Sequence, residues 1–289
     1  MKPKSIWLKF IQLLLASGLL AFASAARAAV SYSCNISALP INYSQTYSGS
    51  SNSSTSLSLS VSCTKSGSGS GLTINYTVTP NNGLNASGSQ NRASLSGNLI
   101  NYDLYTDATC TTPWSGSGSM VFGGGAGSTI TQTLTYYGTV PAAQPSLPPL
   151  GTYSDSVNMT LATTTGGVTI TGTNPAPFLV SIVVPAACTI STQPGNITFS
   201  YTSFGAGANA STTFATICTN QLPYTMAIDA TSGTIAGVNY SLALSAAGGT
   251  GTGLAQTYTI NGTIAAGQAG TCAAATCSGS QARYLTITY

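Results

Sequence analysis

The sequence predicts an all-β protein built from two tandem antiparallel sandwiches, and three observations predict it. Short runs rich in Thr, Val, Ile and Tyr alternate apolar with polar residues, as in Leu57-Ser-Leu-Ser-Val61 and Leu72-Thr-Ile-Asn-Tyr-Thr-Val78. That is the pattern of a strand with one buried and one wet face. Gly, Ser, Asn and Pro punctuate these runs, and almost nothing reads as helix. The chain also repeats itself in outline: Cys34 precedes Cys63 by 29 residues, and Cys188 precedes Cys218 by 30. Leu134-Thr-Tyr-Tyr-Gly-Thr-Val-Pro-Ala-Ala-Gln144 aligns with Tyr258-Thr-Ile-Asn-Gly-Thr-Ile-Ala-Ala-Gly-Gln268, and Val157-Asn-Met-Thr-Leu161 with Tyr284-Leu-Thr-Ile-Thr288.

In chain order, residues 1–28 read as an export signal: Lys2, Lys4 and Lys9, an apolar run from Phe10 to Ala23, then Ala26-Arg27-Ala28 as the cleavage site. Residues 29–173 form the first domain. Residues 174–187 are a linker that holds a candidate strand, and residues 188–289 form the second domain. The predicted strands of the first copy are Ser56 to Val61, Leu72 to Thr79, Leu99 to Tyr105, Thr129 to Tyr137 and Tyr153 to Leu161. Each copy is long enough to bury a core.

Without residues 1–28 the charged side chains are Lys65, Arg92 and Arg283 against Asp103, Asp107, Asp155 and Asp229. So sparse a set builds no basic stripe for phosphates, which argues against nucleic acid. The chain contains no His, and Asp103 and Asp155 read as groups that bond backbone amides or loop hydroxyls rather than as an acid–base pair. A secreted hydrolase is therefore disfavoured, and no cofactor or metal site is expected. The stretches Gly67 to Gly71, Gly116 to Gly118 and Gly123 to Gly127 read as flexible turns rather than phosphate loops.

Seven cysteines in an exported chain imply an oxidising compartment. The repeat favours Cys34–Cys63 and Cys188–Cys218, each worth roughly 3–4 kcal/mol on the chain-entropy account. Cys272 and Cys277 pair locally, since a Cys-x4-Cys metal site lacks further ligands. Cys110 is left over, with a buried free thiol and a bond to another chain both open.

Tyr102-Asp-Leu-Tyr-Thr-Asp-Ala108, Trp114-Ser-Gly-Ser-Gly118, Tyr137-Gly-Thr-Val-Pro-Ala-Ala-Gln144 and Gly151-Thr-Tyr-Ser-Asp-Ser-Val-Asn-Met-Thr-Leu161 together resemble the spore coat protein U domain. That family includes secreted pilus subunits of the archaic chaperone-usher pathway in Gram-negative bacteria. The resemblance covers most of Cys34 to Leu161; the second copy lacks the Trp motif and gains Cys272 and Cys277. It implies immunoglobulin-like sandwiches, the C-terminal one lacking its last strand. It also implies a periplasmic chaperone, an outer-membrane usher and an adjacent subunit that donates a strand. Such a donor supplies main-chain hydrogen bonds and plugs an open core in one step.

From this follow the expected sites. Phe178, Val180, Ile182 and Val184 are the inward residues of a strand that completes the first domain, with Val168-Thr-Ile-Thr171 as competitor. Tyr284, Leu285, Ile287 and Tyr289 line the strand that accepts a donor or chaperone. The short stretch between Ala29 and Cys34 leaves little to donate, so the chain is expected at the pilus tip, on the cell surface. There it would mediate attachment to an abiotic or host surface and biofilm formation; the rival is a purely structural subunit that initiates or caps assembly. If the last strand of the first domain runs toward the linker, the loop Pro141 to Gly151 faces outward beside Gln45 to Thr55 and Thr79 to Arg92. Leu84, Leu147, Pro148, Pro149 and Leu150 then become the adhesive residues, suited to hydrophobic surfaces. Met120-Val-Phe122 is placed at the linker end, and Trp114 in core or interdomain packing.

Overall fold

A computed structural model of the chain describes residues 30–36, 43–125, 127–164, 170–173 and 177–289. The predicted export signal lies outside them, as do Val168 and Thr169 of the competing strand. The first domain contains β1 (Ser31–Ile36), β2 (Tyr43–Thr46), β3 (Ser53–Ser66), β4 (Thr73–Pro80), β5 (Asn91–Leu95) and β6 (Asn98–Tyr105). It continues with β7 (Gly116–Val121), β8 (Ser128–Val140), β9 (Gly151–Val157), β10 (Met159–Thr164), β11 (Ile170–Thr173) and β12 (Phe178–Val184). One sheet has the order β11-β1-β3-β8-β6-β5-β9-β12-β2 and faces a second of order β10-β4-β7.

The second domain contains β13 (Cys188–Thr192), β14 (Ala208–Cys218), β15 (Pro223–Ile228), β16 (Ser232–Ile235), β17 (Val238–Leu244), β18 (Gly248–Thr250), β19 (Ala255–Ile264) and β20 (Leu285–Thr288). Its sheets are β13-β14-β19-β17-β16 and β18-β15-β20. These match β1-β3-β8-β6-β5 and β7-β4-β10 strand for strand, so the repeat seen in sequence is a repeat of topology. Both domains are all-β sandwiches of two sheets.

Period-two alternation explains the strands. Along β3, Leu59, Val61, Cys63 and Lys65 point inward while Ser54, Ser56, Ser58, Thr64 and Ser66 are exposed. Its outward hydroxyls meet those of β8 across the ladder, Ser60 with Thr133 at 3.5 Å, Ser62 with Thr131 at 3.0 Å and Thr64 with Thr129 at 2.9 Å. Paired hydroxyls satisfy one another on a surface with very little charge. The inner faces meet over aromatic residues: Trp114 lies edge-on to Tyr136 at 5.7 Å, and its indole N–H donates to the Thr135 carbonyl at 3.2 Å. Trp114 is therefore a core residue of the first domain.

The predicted strand Tyr153 to Leu161 is two strands. β9 pairs with β12 and β10 with β4, so the chain crosses from one sheet to the other at Asn158. Asn158 donates its N–H to the side-chain oxygen of Asn81 at 2.8 Å, and its carbonyl accepts from the Asn81 N–H at 2.8 Å, which replaces the ladder bonds lost at the crossing.

β3 and β8 span the first domain, roughly 40–45 Å from end to end. Their Ser53 and Val140 end lies next to the second domain, and their Ser66 and Ser128 end is remote from it. At the remote end Lys65 is 1 % exposed, and its ammonium donates to the carbonyls of Gly69 at 3.0 Å and Gly123 at 2.8 Å. One cation thus ties two glycine-rich loops together. Lys65→Met should leave both carbonyls without that donor, costing about 1–3 kcal/mol. Denaturant unfolding followed by Trp114 fluorescence checks this; an unchanged midpoint would mean the loops hold without the cation.

Candidate functional site

The site is the space between two strand edges: in the first domain a strand fills it, and in the second no strand lies there among the described residues. In the first domain the occupant is β12. It runs antiparallel to β9, from Phe178 opposite Val157 to Val184 opposite Gly151, and parallel to β2, with Val180 opposite Tyr43. Phe178, Val180, Ile182 and Val184 are at most 4 % exposed, while Leu179 on the opposite face is 54 % exposed. The Phe178 ring packs 5.9 Å from Tyr136, which carries the contact on to Trp114. The donor residues named from sequence thus fill the first core. The described part of the competing segment, β11, pairs in parallel with β1 and extends the sheet elsewhere.

The second domain has the same two groove edges. Asn42 and Tyr47 stand eight and thirteen residues after Cys34, as Asn196 and Tyr201 stand after Cys188. Tyr47 donates its hydroxyl to the Ala142 carbonyl at 2.7 Å, and Tyr201 donates to the Gln268 carbonyl at 3.1 Å. The counterpart of β2 is therefore Ile197 to Tyr201, which is extended, with Ile197, Phe199 and Tyr201 half-buried, but forms no strand. Phe199 lies over Gly262, where a Cβ would collide with its ring.

The other edge corresponds to β9 and precedes β20. It is held by side chains rather than by a ladder: Gln281 accepts from the Tyr240 hydroxyl at 2.7 Å, and Arg283 donates to that same hydroxyl at 3.0 Å and to the Ser232 carbonyl at 2.8 Å. The Tyr284 N–H donates to Asp229 at 3.0 Å. Among the described residues no strand lies between these two edges, and β20 ends its sheet. The core beneath is correspondingly thin. Leu242, Leu244, Leu285 and Ile287 are only half-buried, whereas the corresponding face of the first domain is closed. Of the predicted acceptor residues, Leu285 and Ile287 point into the groove region, while Tyr284 and Tyr289 are 71 % and 58 % exposed and point away.

The disulfides are Cys34–Cys63, Cys188–Cys218 and Cys272–Cys277. Cys110 is half-buried and unpaired at positive φ, in the Thr106 to Pro113 loop organised by Asp107, whose carboxylate accepts from the N–H of Thr112 at 2.8 Å. Desolvation first, and the Asp107 carboxylate second, push the Cys110 thiol above its ordinary value, which disfavours the reactive thiolate. Asp155 is buried and accepts from the Tyr102 hydroxyl at 2.7 Å and the Leu84 N–H at 2.8 Å, while Asp103 accepts from the Gln90 amide at 3.0 Å. These are structural bonds, as the sequence reading expected.

The adhesive residues expected from sequence are placed differently. The expectation took β9 as the last strand of the first domain; β12 is the last, and because β9 is antiparallel to it, Gly151 sits beside Val184 and the linker. The Pro141 to Leu150 loop therefore faces the second domain. Asn220 donates its side-chain amide to the Leu147 carbonyl at 2.7 Å, and its own carbonyl accepts from the Leu150 N–H at 3.1 Å. Pro148 and Pro149 are buried, and Leu150 packs on the second-domain core with Leu222. Leu147, Pro148, Pro149 and Leu150 are junction residues. Gln45 to Thr55 lies at the same end, since Tyr47 donates its N–H to the Val183 carbonyl at 2.8 Å.

Leu84 is 74 % exposed but sits on the flank, pinned to Asp155 by its N–H. Gly83 before it has φ +75°, and a Cβ there would overlap the Asp155 carboxylate, so glycine is required. Met120-Val-Phe122, expected at the linker end, lies instead at the remote end, with Phe122 buried edge-on to Tyr32 at 5.2 Å.

Residues 20–160 match the Spore Coat Protein U domain. The match covers the first domain as far as the start of β10. Among solved structures, the chain is similar to the CsuC–CsuE chaperone–tip adhesion subunit pre-assembly complex of Acinetobacter baumannii, at 13 % identity and TM-score 0.42, over 90 % of this chain and 98 % of that one. It is also similar to the CupB6 tip adhesin of Pseudomonas aeruginosa, at 10 % identity and TM-score 0.32, over 73 % of this chain and 80 % of that one. No curated protein matches the sequence. The spore coat U match stops at residue 160, so the second domain is tied to the first by internal repeat. Gln144 accepts from the Asn101 N–H at 2.7 Å and donates to the Asn101 carbonyl at 3.2 Å; Gln268 accepts from the Asn239 N–H at 2.7 Å and donates to the Asn239 carbonyl at 2.9 Å.

Shortening β12 inside the core should unfold the first domain selectively. Ile182→Ala is expected to cost about 2–5 kcal/mol, and Leu179→Ala less than about 0.5 kcal/mol. Trp114 is the sole tryptophan after residue 28 and reports that domain alone. Equal effects of the two substitutions on its unfolding would mean that β12 is not part of the cooperative core.

Proposed function

We propose that the chain is a tip adhesin of an archaic chaperone-usher pilus, exported through the periplasm and joined to the fibre by a donated strand in the groove of the second domain. The observation that carries this reading is the contrast between two copies of one fold. In the first, β12 fills the space between β9 and β2 from within the same chain. In the second, Ile197 to Tyr201 and Gln281 to Thr288 flank the corresponding space with no strand between them among the described residues. An occupant would pair with the segment before β20 on one side and with Ile197 to Tyr201 on the other, and would cover Leu242, Leu285 and Ile287. Until the fibre supplies that strand, a periplasmic chaperone would cover the same groove, and an outer-membrane usher would exchange one for the other.

Attachment then falls to the end of the first domain remote from the junction. That end presents the Ser66 to Leu72 and Phe122 to Gly127 loops, braced by Lys65, and Val121 at 69 % exposure. The apolar residues that favoured hydrophobic surfaces from sequence, Leu147 and Leu150, are turned into the junction. Among the described residues the remote end is instead built mainly of backbone and hydroxyls, with Val121 its exposed large apolar side chain, and it fits biofilm formation on either abiotic or host surfaces. Its scarcity of apolar anchors also favours the second reading, a structural subunit that initiates or caps assembly without adhesive contact.

Two measurements test this. A peptide with the sequence Pro177 to Val184, added in excess to the purified chain, should raise the unfolding temperature of the second domain followed by circular dichroism. The same peptide carrying Val180→Asp and Ile182→Asp should not. No shift with either peptide would remove the open-groove reading. In cells making normal pili, Val121→Asp should lower attachment severalfold while Leu84→Asp leaves it unchanged; unaltered attachment in both would favour the purely structural subunit.

A further inference from the structure

The junction between the two domains is a worked instance of a strand donor followed by its own folded body. β12 fills the first groove and leaves it at Val184; after three intervening residues, at Cys188, the second sandwich begins. That body is held by more than the strand. The loop that follows the Gln144 anchor reaches across and grips it, through the Leu147 carbonyl on the Asn220 amide, the Leu150 N–H on the Asn220 carbonyl, and the Leu147 side chain against Gly253. The grip is stiffened beforehand by Pro148 and Pro149, so little freedom is lost on contact.

The second domain repeats this arrangement, with its loop anchored on the turn between β16 and β17 by the Thr271 N–H on the Ala236 carbonyl at 2.8 Å. Gln268 makes the hydrogen bonds of Gln144, and from it a loop three residues longer than its counterpart leads to Tyr284, as the first leads from Gln144 to Val157. Where the first loop is braced by two prolines, this one is closed by Cys272–Cys277, and Thr271 to Ser280 are exposed. Beside it lies Phe204, 75 % exposed, at φ +59° in a turn closed by the Gly205 N–H on the Thr202 carbonyl and docked by its own N–H on the Gln268 carbonyl. A bulky residue held at positive φ with its ring in solvent is an uncommon arrangement. Both features lie at the Ala208 and Ile264 end of β14 and β19, opposite the end gripped by the first domain.

We infer that Phe204 and the Cys272–Cys277 loop form a second, strand-independent docking surface for the folded body of the subunit whose donor strand occupies the groove. This rests on the donor-strand reading above, and the direction of the donor decides the location. An occupant aligned as β12 is, antiparallel to the segment before β20 and parallel to Ile197 to Tyr201, leaves the groove at the Tyr201 end, where Gln268, Phe204 and the disulfide loop lie. The body that follows must emerge against them. Its matching face is expected to resemble what Leu147 and Leu150 meet here: a side-chain amide and backbone edge like that of Asn220, beside a glycine turn and an apolar lip like Gly253 and Leu222.

A photo-activatable benzophenone side chain placed singly at Phe204, Ala274, Tyr284 or Val121 of the full-length chain, in cells assembling pili, tests this. Adducts with one fibre subunit are expected from positions 204, 274 and 284, and none from 121. Adducts from 284 with none from 204 or 274 overturn this inference and leave the donated strand standing; no adduct from any of the three overturns both. As a second measurement, the double variant C272S/C277S should be shed from isolated fibres in urea about tenfold faster, because the opened loop must be ordered on contact. Unchanged shedding would overturn the part assigned to the disulfide loop.

Discussion

The structure depends on one constraint: a sandwich with an open groove cannot bury its core until a strand is laid between the two edges. In the first domain β12 supplies both things the groove lacks. Its backbone pairs with β9 on one side and β2 on the other, and Phe178, Val180, Ile182 and Val184 enter the core. The same act that closes the hydrogen-bond ladder completes the chain of aromatic contacts from Phe178 through Tyr136 to Trp114. Because the strand is covalently attached, closure is an intramolecular event at high effective concentration. The second domain, built on the same plan, keeps Leu285 and Ile287 half-buried beside the corresponding space.

The direction of β12 then fixes where everything else lies. It runs toward the linker, so the strand antiparallel to it, β9, begins at the linker, and the loop entering β9 is pressed against the second domain. The residues of that loop are those suited to a stiff contact, two prolines between two leucines, and the structure spends them on holding two domains in register. The remote end is left with glycine and serine, and these need an internal brace because their side chains offer none. Lys65 provides it, as a buried cation whose partners are carbonyls rather than a carboxylate.

Much of this was legible in the sequence, for physical reasons that differ from one element to the next. Alternation revealed β3, β4, β6 and β8 because one face of each is wet. Nearly equal cysteine spacing exposed the repeat and with it the pairing of Cys34 with Cys63 and Cys188 with Cys218. The inward set of β12 was visible because Leu179, Ser181 and Val183 interrupt it at period two. β2, β5 and β7 were missed, being short and polar and stabilised by their neighbours rather than by their own pattern, and β1 was missed although Tyr32, Cys34 and Ile36 alternate inward along it. The crossing at Asn158 was missed too, since alternation continues through it while the pairing partner changes. The site was misplaced through a single assumption, that β9 ended the domain; one antiparallel strand added after it inverts top and bottom. Gln144 and Gln268 were aligned in the repeat but not recognised as anchors, because a glutamine that bonds a backbone N–H and carbonyl at once looks in sequence like any surface glutamine.

That pair of glutamines bears on how such a chain is assembled. A side chain that accepts from an N–H and donates to the carbonyl of the same residue mimics a backbone partner, and it fixes where a loop leaves the sheet without ordering the rest of it. In both domains the loop after the anchor is then free to differ. One copy braces it with proline and turns it on a neighbour of known sequence within the chain; the other closes it with a short disulfide. Proline restricts φ directly, whereas a disulfide restricts a loop only in an oxidising compartment. In the second domain the loop is held at its start by the Thr271 N–H on the Ala236 carbonyl and along its length by its own disulfide. The disulfide restrains that loop while Thr271 to Ser280 stay exposed.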